Sequence, residues 1–174
     1  MWAKNKQQTG FTIVELLIVI VVIGILAAIT IVSYNGIQNR SKNAKTVSAI
    51  TAWSKAIKLY NADTGTWPSV HSCLGAPTTY AGNNSQCWNS TTWVVNTSFT
   101  NQLAPYMNTF PEPDTTDITE GGTNTPRRGA LYHTTNRDIY AAFTGITSCP
   151  DVGLRNTTTN TGETGGIYCI YTLD

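Results

Sequence analysis

Residues 10–32 read GFTIVELLIVIVVIGILAAITIV. From Leu16 to Ile29 fourteen consecutive residues are apolar, counting Gly24; with Thr12, Glu15 and Thr30 admitted, the stretch runs from Phe11 to Val32. At about 1.5 Å per residue this spans roughly 33 Å, enough to cross the hydrocarbon core of a bilayer. It is longer than the apolar core of a secretory signal, and no small-x-small cleavage site directly follows it. Lys4 and Lys6 precede it and assign that end to the cytoplasm by the positive-inside rule. Arg40, Lys42 and Lys45 follow it and weaken that rule used alone. One acid, Glu15, interrupts the run. A carboxylate inside an apolar helix costs about 2.5–3.5 kcal/mol on insertion scales and normally marks a function; the alternative is a Glu snorkelling at the membrane edge.

The 174 residues carry a formal charge of +1, with 12% charged and 41% hydrophobic. That balance excludes a disordered acidic tail and a basic nucleic-acid arm for the chain as a whole. The two parts differ sharply. Residues 1–60 hold seven bases and one acid, a net +6, whereas residues 61–174 hold four arginines, no lysine and nine acids, a net −5. The second part contains 24 Thr, 6 Ser and 11 Asn, a mixture suited to solvated strands and turns. All four cysteines lie there, none in a C-x-x-C pair, which favours disulfides outside the cytoplasm over a metal or redox site.

Beyond the apolar run, Ala44, Val47, Ile50, Trp53, Ile57 and Tyr60 recur at steps of three and four and trace one helical stripe. The expected element is therefore one long helix from Phe11 to about Tyr60, with a bend or loosening near Gly36. Trp53 belongs to its core face. Asn61 to Gly65 should end it, with Gly65 left-handed and Pro68 preventing continuation. Residues 130–134 and 139–143 flank Thr135–Asp138 and read as a hairpin, and residues 167–172 as a further strand. Trp93–Val95 is a fourth candidate, and Thr157–Thr159 reads as a loop. Three strands packed on the helix stripe give an α+β head.

Gly10-Phe11-Thr12-Ile13-Val14-Glu15-Leu16, after a short basic leader, resembles the class III signal of type IV pilins and pseudopilins. The resemblance implies a type IV pilin-like fold, with the first half of the helix transmembrane. It implies cleavage by prepilin peptidase between Gly10 and Phe11, N-methylation of Phe11, and a Glu15 that meets the amino terminus of Phe11 on a neighbouring subunit or its own chain. Such a buried pair would set register more than net stability. Residues 60–69 (YNADTGTWPS) resemble the helix exit of this family, and residues 103–114 its short helix and proline-marked turn. Many pilins carry a helix-disturbing proline near the position of Val32, which this chain lacks.

Four cysteines allow three pairings. The shortest loops are Cys73–Cys87 and Cys149–Cys169, and the second corresponds to the carboxy-terminal disulfide of many pilins. Free core cysteines are the alternative. The histidines, His71 and His133, form no metal-spaced cluster; a Cys73 nucleophile beside His71 would need a free thiol, and His133 reads as a surface strand residue. Asp114 and Asp117, expected in a turn, could bind calcium as acidic loops of some pseudopilins do; solvated turn carboxylates are the alternative reading. Arg127, Arg128, Arg137 and Arg155 would need to form a stripe to hold DNA, against a head of net −5. The aromatic segment Trp67–Trp93, with Tyr80 and Trp88, would need several rings exposed together to contact a host surface or glycan. Asn-x-Ser/Thr sequons begin at Asn83, Asn89, Asn96 and Asn156.

The resulting expectation has four parts: leader 1–10, transmembrane and filament-core helix 11–35, amphipathic helix 36–62, and an α+β head 63–174. It is a non-catalytic subunit with no cofactor and no metal, single-pass in the cytoplasmic membrane as a precursor and extracellular once polymerised. Its partners would be copies of itself, prepilin peptidase, an assembly ATPase and a platform protein. The alternatives are a pseudopilin of a type II secretion or competence system, and a membrane-anchored enzyme or sugar-binding module.

Overall fold

The structure, a computed structural model, describes residues 10–83, 86–88, 93–120, 126–160 and 163–173. The chain divides into two compact units, residues up to Gln38 and from Asn39 onward. Helix α1 (Ile13–Thr64) contributes to both, and Gly36 does not interrupt it.

In the second unit the α1 stripe behaves as its spacing predicts. Ile50, Trp53 and Ile57 are fully buried, with Val47 and Tyr60 packed at the margins. Ala44 departs from the expectation and is exposed, because at this level the helix meets the sheet through Asn43. The Asn43 amide donates to the carbonyl of Thr144 (2.9 Å) and accepts from its N–H (3.0 Å). Trp53 stacks on Phe99 and Phe110, with centroids 5.8 and 5.6 Å away. Its indole N–H donates to Pro111 O at 2.8 Å, so the polar edge of a buried ring is satisfied. The helix runs past Tyr60 to Thr64 and stops at Gly65 (φ 70°), whose N–H returns to Asn61 O. Glycine suits that left-handed exit because it has no Cβ to clash.

The strands are β1 (Ser72–Cys73), β2 (Ile118–Glu120), β3 (Pro126–Arg127), β4 (Ala130–His133), β5 (Asp138–Thr144), β6 (Arg155–Asn160), β7 (Glu163–Thr164) and β8 (Gly166–Thr172). They form a five-stranded antiparallel sheet, order β1-β4-β5-β8-β6, and a three-stranded sheet, β3-β2-β7. The expected hairpin is β4–β5, in register from Ala130 opposite Ala141 to His133 opposite Asp138. Thr157–Thr159, read as a loop, lies instead in edge strand β6, with Thr158 opposite Ile170 and Thr159 opposite Cys169 of β8. Threonine suits a solvated pleated edge as well as it suits a loop. Trp93–Val95 adds no strand; Val94 makes a single bridge to Gln86. The short helix α2 (Thr97–Leu103) precedes the segment expected to carry it, and Ala104–Tyr106 adds one 3-10 turn. Asn96 caps α2, accepting from the N–H groups of Ser98 and Phe99, as an Asx side chain does for orphan helix donors.

Strand alternation separates two clusters. Ile167, Cys169 and Tyr171 of β8 join Ile139, Ala141 and Phe143 of β5 in the core shared with Ile50, Trp53 and Ile57. Leu131 of β4 belongs to a second cluster with Cys73, Tyr80 and Cys87, against which Trp88, Trp93 and Tyr140 pack. Gly166 is required by close approach: a Cβ there would stand 1.9 Å from Phe143 O.

Candidate functional site

The first unit contains the expected processing and assembly residues, of which Gly10 and Phe11 are exposed. A side chain at Gly10 would meet nothing within 4 Å, so the peptide between it and Phe11 is open on that side. Residues 1–9, with Lys4 and Lys6, lie outside the described residues. Thr12 precedes the first helical residue and Glu15 stands three places on. The Thr12 N–H and hydroxyl donate to Glu15 Oε2 at 3.0 and 2.8 Å, and the Glu15 N–H donates to the Thr12 hydroxyl at 3.2 Å. This is a reciprocal capping box, which satisfies orphan amide donors at the helix start. Thr12 was not singled out from sequence, although Thr-x-x-Glu ahead of an apolar run is its signature. The two donors end on Oε2, so Oε1 is left to accept a further donor such as an amine.

From Leu16 to Ile31 every large apolar side chain of this unit is exposed. The most apolar window, of mean hydropathy 3.2, has none of its residues buried within the chain. A helix apolar all round is covered by lipid or by other chains. Tyr34, also exposed, lies just beyond the apolar run, where interfacial aromatics anchor spans.

The second unit holds the remaining candidates. Cys73 is bonded to Cys87 and Cys149 to Cys169, and no cysteine is free, so Cys73 offers no thiolate to His71. The histidines meet instead: their ring centroids are 4.4 Å apart, with Trp93 4.9 Å from His71 and 5.6 Å from His133. His133 is thus half-buried in an aromatic group, not the surface strand residue expected. The Thr134 N–H donates to His71 Nδ1 at 3.1 Å, which holds that ring neutral with its proton on Nε2. Burial, and then repulsion from His133, lower the His71 pKa.

Three of the four head arginines are engaged within the head. Arg128 is buried and forks onto Asp117, with a further bond to Gln86 O at 3.2 Å. Arg127 lies over the rings of Tyr168 and Trp88 at 4.1 and 5.1 Å, and Arg137 lies over Trp67 at 5.5 Å. Tyr80 is buried and donates to Leu74 O. Trp88 and Trp93 are half-buried against the second cluster, so the aromatic segment presents no open row of rings. Asp114 and Asp117 join no metal-binding group among the described residues: Asp114 accepts from Thr116 N–H, and Asp117 is taken by Arg128. Of the sequon residues, Asn96 is the α2 cap, and Asn89 lies outside the described residues.

A family model described as the prokaryotic N-terminal methylation motif matches residues 5–31, the stretch that contains Gly10, Phe11 and Glu15. The amino-terminal segment is that of the type IV pilins and pseudopilins. Relatives of both kinds match. Type II secretion system core protein G of Aeromonas hydrophila is 33% identical over 73 residues, 42% of this chain and 51% of the relative. Fimbrial protein EcpC of Eikenella corrodens is 37% identical over 78 residues, 45% of this chain and 51% of the relative. A fimbrial protein of Neisseria meningitidis is 34% identical over 71 residues, 41% and 42% of the respective chains. The chain thus spans about half the length of the curated relatives it matches. No solved structure matches it. With this pilin-type segment, the α1 helix and antiparallel sheet give an α+β pilin-like fold.

Proposed function

We propose that the chain is the structural subunit of a type IV pilus, cut after Gly10, methylated at Phe11, held in the cytoplasmic membrane and polymerised into an extracellular filament. The observation that carries this reading is the register of Gly10 and Phe11 just before, and Glu15 in the first turn of, a helix whose apolar run is bare on every side. Lipid covers that surface in the precursor, and neighbouring subunits cover it in the filament. Glu15 then keeps its Thr12 donors on Oε2 and accepts the amine of a neighbouring Phe11 on Oε1, fixing the stagger between subunits. Prepilin peptidase, an assembly ATPase and a platform protein are the partners this life cycle requires. The subunit has no catalytic role in this reading, and adhesion, twitching motility or DNA uptake would be properties of the fibre. A pseudopilin of a secretion system is the second reading, favoured by the likeness to type II secretion core proteins.

Mass spectrometry of purified surface fibres tests both. The expected result is a mature chain beginning with N-methylated Phe11. Gly10→Ala should leave uncut precursor in the membrane, and Glu15→Leu should keep insertion and head folding while losing assembly. Normal cleavage of the first variant or normal fibres from the second would refute the assignment.

A further inference from the structure

Charge is segregated within the second unit. Between Arg40 and Lys58, α1 carries five bases (Arg40, Lys42, Lys45, Lys55 and Lys58) and no acid. None of them forms an ion pair among the described residues. The remainder of the unit has the opposite sign, and its Arg127 and Arg128 are buried. Two of the helix lysines, Lys55 and Lys58, line a shallow groove of about 520 Å³ floored by Leu59, Ala62 and Leu154. Leu59 is the one exposed large apolar side chain of this unit among the described residues, at 44%. Gly153 on the far wall leaves the groove open, since a Cβ there would meet nothing within 4 Å. An apolar floor rimmed by two uncompensated cations suits a carboxylate-bearing segment with some apolar body.

We propose that this groove docks a second copy of the chain, whose exposed Glu112, on the irregular segment 111–114, enters it with Asp114 beside it. Most other carboxylates described in the head are committed. Asp117 pairs with Arg128, Asp138 is buried and accepts from Thr172, and Asp63 accepts from Tyr106; Asp114 and Asp151 each accept one backbone N–H, from Thr116 and Gly153, but Asp151 belongs to the groove's own wall segment. Glu112 is exposed, with a single hydrogen bond from the Thr79 hydroxyl to Oε1. Pro111 and Pro113 flank it and restrict its backbone, so little chain entropy is lost on docking. Donor and acceptor patches differ, so the contact is head-to-tail, the kind that builds an open helical filament when its rotation does not close a ring. It deepens the filament reading and rests on it, adding specificity between heads to the grip between apolar helices. A membrane is the less suitable occupant: Lys55 and Lys58 lie roughly 22–27 Å along the helix from Arg40, beyond the Debye length of about 8 Å.

The test uses the full chain expressed with its assembly apparatus. Lys55→Glu/Lys58→Glu should lower sheared filament about tenfold while cleavage, membrane level and both disulfides persist. Adding Glu112→Lys/Asp114→Lys should restore it. In filaments of mixed ¹⁵N-labelled and unlabelled subunits, carbodiimide should join Lys55 or Lys58 to Glu112 or Asp114 between copies. Wild-type yield from the lysine variant overturns the proposal, as does a charge-swapped chain that melts normally yet fails to assemble. Loss of membrane retention in place of assembly assigns the lysines to lipid and also overturns it. If the unaltered, fully processed chain makes no filament, the filament reading itself falls, a result told apart by appearing without any substitution.

Discussion

Asn43→Ala isolates the attachment of α1 to the sheet. The side chain makes two hydrogen bonds to one backbone unit, donating to Thr144 O (2.9 Å) and accepting from Thr144 N–H (3.0 Å). Thr144 ends β5 and is itself buried, so truncation leaves a donor and an acceptor without a partner and partly shielded from water. At about 1 kcal/mol for each bond, the expected loss is about 2 kcal/mol. For a head of this size that corresponds to roughly 8 °C in Tm. The assay is urea unfolding of the full chain in detergent, followed by tryptophan fluorescence, because Trp53 reports the core directly. Lys45→Ala, two residues along and exposed, is the control and should stay within about 0.5 kcal/mol. Asn43→Asp keeps the acceptor but sets a carboxylate oxygen against the Thr144 carbonyl, so it should lose at least as much as Asn43→Ala. A loss for Asn43→Ala no greater than the Lys45 control would refute the clamp and leave helix attachment to apolar packing alone.

Gly166→Ala should destabilise by about 3 kcal/mol or more, since the added methyl meets a backbone carbonyl of β5 that moves only with the strand; a thermal melt within 2 °C of wild type would contradict the register. The His71 pKa is lowered in the folded state, so the unfolded chain takes up more protons as the medium is acidified. Stability should be full above about pH 6.5, fall as pH drops through that value, and level off below the folded pKa. The urea midpoint measured from pH 7.5 to 5 checks this, and His71→Asn should flatten the curve. A slope unchanged by that substitution would refute the assignment to His71.

Where burial follows from local periodicity, the sequence suffices. Ile50, Trp53 and Ile57 fall on one helical face because their spacing leaves no alternative, and β4–β5 closes around a four-residue polar turn. Loop length singled out the same cysteine pairs that the structure bonds. Other features depend on partners distant in sequence. Thr157–Thr159 becomes a strand only because β8 offers it an open edge, and the short strands β2, β3 and β7 have too few residues to carry a period. Asn43 looks like any polar helix residue until Thr144 arrives 101 positions later. In the candidate site, Glu15 was conspicuous as a charge among apolar residues. Thr12 was overlooked because its contribution is to the backbone of one helical turn. His133 was misjudged because its cover comes from His71 and Trp93, on segments with no regular structure to announce them.

Both disulfides lie beyond α1 in sequence, so no covalent cross-link ties the helix to the strands. A load transmitted along α1 is therefore borne by many weak contacts in shear, which can yield under tension and re-form on release. The cross-links act later, as travel stops. By keeping loops with separations of 14 and 20 residues closed, they withhold on the order of 100 Å of contour length from an unravelling head. Such a subunit would behave as a short spring with a hard end-point, and reducing agents would lengthen its stroke before they weakened its grip.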